Sequence, residues 1–175
     1  MLTAMKRVYL IGMPGSGKSA VGARLAVLLR LPFVDLDAEI EREAGATVTQ
    51  LFAEKGEPYF RELESRLLRT WAERPYAFVM ATGGGAPCFH DGIEIINRSG
   101  ISIFLDVPPE ALAARIAEEQ HRPLIQGNDR EEKLNALLQQ RRPTYEMAHY
   151  TVTAAGGPEE VADQILKWLE RYAQG

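Results

Sequence analysis

Cysteine, tryptophan and histidine are scarce in this chain. One cysteine, Cys88, occurs in 175 residues, so no intrachain disulfide can form and the composition fits a reducing compartment. The three histidines, His90, His121 and His149, lie far apart in the sequence. They lack the paired spacing of a zinc site, which argues against a structural zinc or a zinc hydrolase. No stretch approaches the roughly 20 apolar residues that cross a bilayer. The apolar part of the opening MLTAMKRVYLIG is too short for a signal sequence. A soluble, cytoplasmic protein with no membrane partner is the expectation. Basic excess is missing as well: 20 Lys and Arg against 24 Asp and Glu leave a formal charge of −4. A broad nucleic-acid face is therefore not expected, and any anion site must be local. Repeats, low-complexity tracts and linker-like runs are absent, so residues 1–175 read as a single domain, with a monomer as the default.

What is present is a hydrophobic content of 46%, ample for one buried core. Short apolar or β-branched runs alternate with segments of helical period, the pattern of a parallel sheet covered by helices on both faces. The expected strands are Val8 to Ile11, Pro32 to Leu36, Ala77 to Ala81, Ile101 to Leu105 and Tyr150 to Thr153. Between the first two, Val21, Leu25, Leu28 and Leu29 give the helix Lys18 to Leu29 one apolar face. In the last helix Pro158 suits the first turn, and Val161, Ile165, Leu169 and Tyr172 dock on the core. The polar stretch at 118–130, EEQHRPLIQGNDR, has the texture of a lid between two helices.

Gly12-Met-Pro-Gly-Ser-Gly17-Lys18-Ser19 satisfies G-x-x-x-x-G-K-[ST], with a strand before it and a helix after it. Glycines let the backbone curl until successive N–H groups point inward. The helix adds its positive end, so the turn is expected to bind a polyphosphate, the alternative being a glycine-rich connection with no ligand. Lys18 reaches the β- and γ-phosphates, and Ser19 supplies a hydroxyl for Mg²⁺. Such loops serve switches, motors and kinases, so the reaction has to be read elsewhere. No N/T-K-x-D or D-x-x-G segment of a GTPase switch is found.

Asp35-Leu36-Asp37 closes the second expected strand. Residues two apart on a strand project to one side, so both carboxylates face the crevice beyond the strand ends. One then holds a magnesium-bound water and the other accepts the proton of an attacking hydroxyl. The alternative is an N-cap for the helix containing Ile40, with the second Asp solvated. Gly83-Gly84-Gly85 after the third strand provides either bare backbone for a small ligand or a plain loop. Arg61 is placed at a helix start, where the dipole disfavours a cation. It serves either an anionic ligand or a surface salt bridge to Glu57 or Glu64. The Arg141 guanidinium matches a carboxylate bidentately. Arg122, in the expected lid, can swing onto a transferring phosphoryl group.

The chain resembles the shikimate kinase family from end to end. The matching blocks are GMPGSGKS at 12–19, DLD at 35–37, FRELE at 60–64, ATGGG at 81–85, RPLI at 122–125 and RRPTY at 141–145. The resemblance implies a P-loop NTPase three-layer α/β/α fold with a five-stranded parallel sheet, like the nucleoside monophosphate kinases. It implies ATP-dependent phosphorylation of shikimate at its 3-hydroxyl, in aromatic amino-acid biosynthesis, with Mg²⁺. ATP contacts would come from Gly15, Ser16, Gly17, Lys18, Ser19 and Ala20. Arg122 would lie over the phosphates, and Arg115 and the region of Pro158 against the adenine. Asp37, Arg61, Gly83, Gly84, Gly85 and Arg141 would hold shikimate, and the acceptor region would span about 37–64. Lys18, Asp37 and Arg122 would carry catalysis, and Asp35 would reach the metal through water. Ala20, Ile125 and Thr144 depart from the family pattern without removing a charge. The rival readings are another small-molecule kinase of this fold, such as a gluconate kinase, and a nucleotide-binding regulatory protein without catalysis.

Overall fold

The computed structural model describes residues 7–118 and 129–175. In chain order the elements are β1 (Arg7–Ile11), α1 (Lys18–Leu29), β2 (Phe33–Asp35), α2 (Leu36–Ala44), α3 (Val48–Lys55) and α4 (Glu57–Ala72). There follow β3 (Val79–Ala81), a 3₁₀ turn (Ala86–Cys88), α5 (Gly92–Ser99), β4 (Gly100–Asp106), α6 (Pro109–Glu118), α7 (Arg130–Tyr145), β5 (Tyr150–Thr153) and α8 (Pro158–Gln174). All five strands are parallel, in the order β2-β3-β1-β4-β5. Helices on both faces of such a sheet require strands that are apolar on both sides. Val8, Tyr9, Leu10 and Ile11 of β1 and Ile103, Phe104 and Leu105 of β4 are accordingly buried.

Parallel pairing brings the strand ends to one rim. Leu10 is in register with Ala81, and Ala81 with Asp35. The glycine-rich turn after β1, the carboxylates after β2 and the glycine run after β3 therefore emerge side by side, at the place where open α/β sheets hold ligands.

Three sequence expectations need adjustment. The buried stripe of α1 is Lys18, Val21, Gly22, Leu25 and Ala26, with Leu28 and Leu29 only partly buried where they pack against the core. Gly22 belongs to it because a Cβ there would sit 2.8 Å from the Phe33 ring. β2 and β3 are shorter than expected: Leu36 already begins α2, and β3 starts at Val79 rather than Ala77. Tyr172 of α8 is 44% exposed, stacked on Trp168 instead of docked in the core.

One polar residue sits in the middle of the sheet. Ser102 is fully buried in β4, and its Oγ donates to Asn97 Oδ1 at 2.6 Å. It also accepts from the His149 N–H at 3.1 Å, while the Ser102 N–H donates to His149 Nδ1. This ties the end of α5 to β4 and to the entry of β5. Ser102→Ala strands the Asn97 carbonyl and the His149 amide together. It is expected to lower the unfolding free energy by about 1–3 kcal/mol in urea titration, the usual cost of an orphaned buried polar group.

Candidate active site

The turn after β1 curls as its sequence requires. Gly12, Gly15 and Gly17 have φ of 143°, 80° and 92°, a region that side chains with a Cβ avoid. Gly17 is the N-cap of α1 and gives it no side-chain cap, so the first-turn N–H groups and the positive helix end face the cleft. Lys18, 7% exposed, sends Nζ back across the loop to the Gly12 and Met13 carbonyls, 2.8 Å from each. From α6, Arg115 Nη1 donates to the Gly15 carbonyl at 3.2 Å. The cleft that results has a volume of about 590 Å³. Its walls bring together the loop, Asp35, Asp37, Thr82, Gly83, Arg115 and the start of α8 at Pro158. Arg115 and Pro158, expected at an adenine, thus line the same cleft as Lys18.

Asp35 and Asp37 both line that cleft, but not by strand alternation. Asp35 ends β2 and N-caps α2, its Oδ1 accepting from the Ala38 N–H at 3.2 Å. Its other oxygen, Oδ2, accepts from Ser19 Oγ at 2.8 Å. Asp37 lies in the first turn of α2, where a carboxylate is favoured by the helix dipole. The N-cap alternative therefore holds for Asp35, while Asp37 turns to the glycine run: a Cβ on Gly83 would lie 2.9 Å from Asp37 Oδ1.

Beyond Asp37 lies a buried charge cluster. Arg61 is one turn inside α4, not at its start, and its side chain is 5% exposed. Nη1 donates to Glu64 Oε1 at 2.8 Å, and Nη2 to Glu57 Oε1 at 3.1 Å. Both partners anticipated for a surface salt bridge are used, yet the Glu64 half is interior while Glu57 stands at the rim. The Phe89 ring stacks over the guanidinium at 4.3 Å. Arg141 of α7 is also buried, with 5% exposure. The glycine run makes this packing possible. A Cβ on Gly85 would fall 2.4 Å from Arg61 Nη1, and one on Gly84 would meet Arg141 Nη1 at 3.0 Å and Pro14 Cδ at 2.8 Å. The adjacent Tyr145 hydroxyl donates to the Gly84 carbonyl at 2.5 Å. Arg142 forms a bidentate pair with Asp106, both distances 3.1 Å, which fixes the end of α7 to the end of β4.

Glu64 has no role in the sequence reading beyond a possible ion pair. It is 2% exposed, and its Oε2 is buried without a hydrogen-bond partner. Burial pushes its carboxyl up to about 7, and the charge of Asp37 adds to the rise while Arg61 and Arg141 pull against it. Burial likewise raises the Tyr145 hydroxyl and the Cys88 thiol, so both are neutral near pH 7. The available signal was the i, i+3 spacing of Arg61 and Glu64 on the face that carries Phe60, Leu67 and Leu68. Arg122, and most of the lid expected at 118–130, lie outside the described residues.

A family model for shikimate kinase matches residues 14–170. This chain belongs to the shikimate kinase family. Like that family it is an ATP-dependent phosphotransferase. Shikimate kinase of Bacteroides fragilis is 44% identical over 154 residues, 86% of either chain. That of Synechococcus sp. is 43% identical over 171 residues, covering 97% of this chain and 85% of its own. Among solved structures, shikimate kinase from Acinetobacter baumannii in complex with shikimate superposes with a TM-score of 0.93 at 38% identity, covering 98% and 96% of the two chains. The enzyme from Aquifex aeolicus gives 0.82 at 36%, covering 95% and 98%. A gluconokinase from Sinorhizobium meliloti, at 21% identity and a TM-score of 0.59 over 97% of this chain and 94% of its own, shares the fold alone. Among the described residues no helix is long and apolar enough to cross a membrane.

The glycine run yields a specific test. Gly85→Ala must displace the Arg61 guanidinium, and is expected to raise the KM for the acceptor by about 10- to 100-fold, equivalent to one lost hydrogen bond to a charged group. The KM for ATP should change less, since a Cβ at Gly85 meets Arg61 and not the phosphate loop. Steady-state kinetics with each substrate varied in turn provide the check.

Proposed function

We propose that this protein transfers the γ-phosphoryl group of ATP to the 3-hydroxyl of shikimate, giving 3-phosphoshikimate and ADP on the way to aromatic amino acids. The reading rests most on one adjacency. Gly84 lies between Pro14 of the phosphate loop and Arg141, so a triphosphate on the loop and an acid on the guanidiniums would be neighbours. Arg61 and Arg141 hold the acceptor's carboxylate, their forks matching its two oxygens. Gly83, Gly84 and Gly85 let it lie close to the backbone. Asp37 receives the proton as the hydroxyl oxygen forms its bond to the γ-phosphorus and the bond to the β,γ-bridging oxygen breaks. Gly15, Ser16, Gly17, Ser19 and Ala20 cradle the phosphates, and Lys18 exchanges the Gly12 and Met13 carbonyls for phosphate oxygens. Arg115 and Pro158 flank the base, and Arg122 neutralises charge on the phosphoryl group in flight. A monomer suffices, because every proposed group belongs to one chain.

The site fits magnesium. Ser19 Oγ and Asp35 Oδ2 are paired hard oxygen donors 2.8 Å apart beside the loop, and no group of three or more His, Cys, Asp or Glu is found among the described residues. An ion that keeps its waters and takes phosphate oxygens needs no such cage. Ser19 would bind Mg²⁺ directly and Asp35 through a water. When bound, Mg²⁺ neutralises charge on the β- and γ-phosphate oxygens.

An ADP-release assay with shikimate, gluconate and no acceptor tests the reaction. Turnover is expected with shikimate alone, and equal rates without it would refute the reading. Lys18→Ala should nearly abolish kcat, and Asp37→Asn should lower it about 10²- to 10⁴-fold, the usual range for a lost general base. Arg141→Lys should act mainly on the KM for shikimate, by more than about twofold, because an ammonium cannot replace a bidentate fork. An unchanged KM would count against carboxylate binding there.

A further inference from the structure

Glu64 is a fully buried member of the acceptor cluster with an enclosed oxygen left over. Oε1 accepts from Arg61, while Oε2 is enclosed and has no donor. Both Oε2 and Asp37 Oδ1 crowd Gly83, at 2.8 and 2.9 Å from the point a Cβ would occupy. Two carboxylates thus converge on one glycine from α2 and α4.

The charged and titratable groups around Glu64 can be counted element by element. α4 supplies Arg61 and Glu57, whose side chain is 40% exposed at the rim. α2 supplies Asp37 and α7 supplies Arg141. The 3₁₀ turn supplies Cys88, and α7 adds Tyr145 beside Arg141, both held neutral by burial. Two buried guanidiniums therefore face two inner carboxylates, those of Asp37 and Glu64. A carboxylate ligand on Arg61 and Arg141 adds one more anion to a cluster that already holds Asp37, Glu64 and, at the rim, Glu57, and an interior of low polarity penalises the added charge. Glu64 can relieve it. A proton on Oε2 cancels one charge, and the new O–H can point at Asp37 or at a hydroxyl of the ligand. The Arg61 fork is then released from Glu64 to the incoming carboxylate.

We infer that Glu64 is a positioning residue that takes up a proton from solvent as a carboxylate-bearing acceptor seats on Arg61 and Arg141. The inference rests on the proposed acceptor site and goes beyond it, since the site could bind shikimate with no proton exchanged. Its sign follows from charge. An added anion raises the affinity of Glu64 for its proton above that of the free enzyme, where it titrates at about 7. Below that pH the proton is already present and binding is independent of pH. Above it each acceptor draws in a proton, so affinity falls as pH rises.

Calorimetric titration of the wild-type protein with shikimate at pH 8, in phosphate and in Tris, reads the proton directly through the buffers' ionisation enthalpies. Uptake of about 0.5 to 1 proton per shikimate is expected, together with a Kd that rises about three- to tenfold per pH unit around pH 8 and levels off below pH 7. Glu64→Gln carries a neutral isostere. It should bind shikimate at pH 8 at least as tightly as wild type, with equal enthalpies in both buffers and a flat pH profile. Shikimate binding without proton uptake in the wild type overturns the inference and leaves the acceptor site standing. So does an uptake that persists in Glu64→Gln, or a Glu64→Gln protein that melts normally and binds ATP but rejects shikimate. If that variant does not fold, the wild-type buffer pair decides alone. Failure of shikimate to bind the wild type overturns the acceptor reading and this inference together.

Discussion

Burying two guanidiniums at the rim of a sheet is the constraint from which the rest of this site follows. Each carries a desolvation penalty of several kcal/mol unless its donors are matched. Arg61 meets the requirement through Glu64, Glu57 and the Phe89 face. The arrangement needs room that an ordinary backbone does not leave. Three consecutive residues without Cβ let Asp37, Glu64, Arg61 and Arg141 press onto the chain from three helices. The glycine run is thus a packing solution as much as a surface for ligand, and its cost in chain entropy is offset by the ion pairs it admits.

Parallel strand order couples this cluster to the phosphate loop. Because β1 lies between β3 and β4, the turn after β1 is flanked by the glycine run on one side and by α6 on the other. Tyr145 reaches from α7 to the Gly84 carbonyl, and Arg115 from α6 to the Gly15 carbonyl. Helices remote in sequence thereby hold the two halves of the cleft through main-chain oxygens, which are insensitive to the identity of the loop's side chains.

The phosphate loop was legible in the sequence because its chemistry is local: strand, turn and helix are contiguous, and the glycines state their dihedrals directly. The five strands are legible from apolar runs, with some ends in error, in one case because a residue serves two elements. Asp35 is that residue, since it closes β2, caps α2 and accepts from Ser19, so strand alternation placed Asp37 in the cleft for the wrong reason. Arg61 lies inside α4 rather than at its start because the helix already begins at Glu57, with Pro58 in its first turn. Glu64 was missed for a different cause. Spacing along a helix reveals its partner but not its depth, and a glutamate beside an arginine reads as a solvated pair until tertiary packing closes over it. Gly22 was similarly invisible in α1, because its place on the buried stripe depends on Phe33 across the layer.

The lateral margins of the sheet have their own consequence. Its two outermost ribbons, β2 and β5, have three and four residues, and the second is backed by the Tyr150, Trp168 and Tyr172 ring column. Such stubs offer few unpaired main-chain groups for a foreign strand to zip onto. Crowded copies of this molecule are therefore guarded, at these two edges, against adding to one another sheet by sheet.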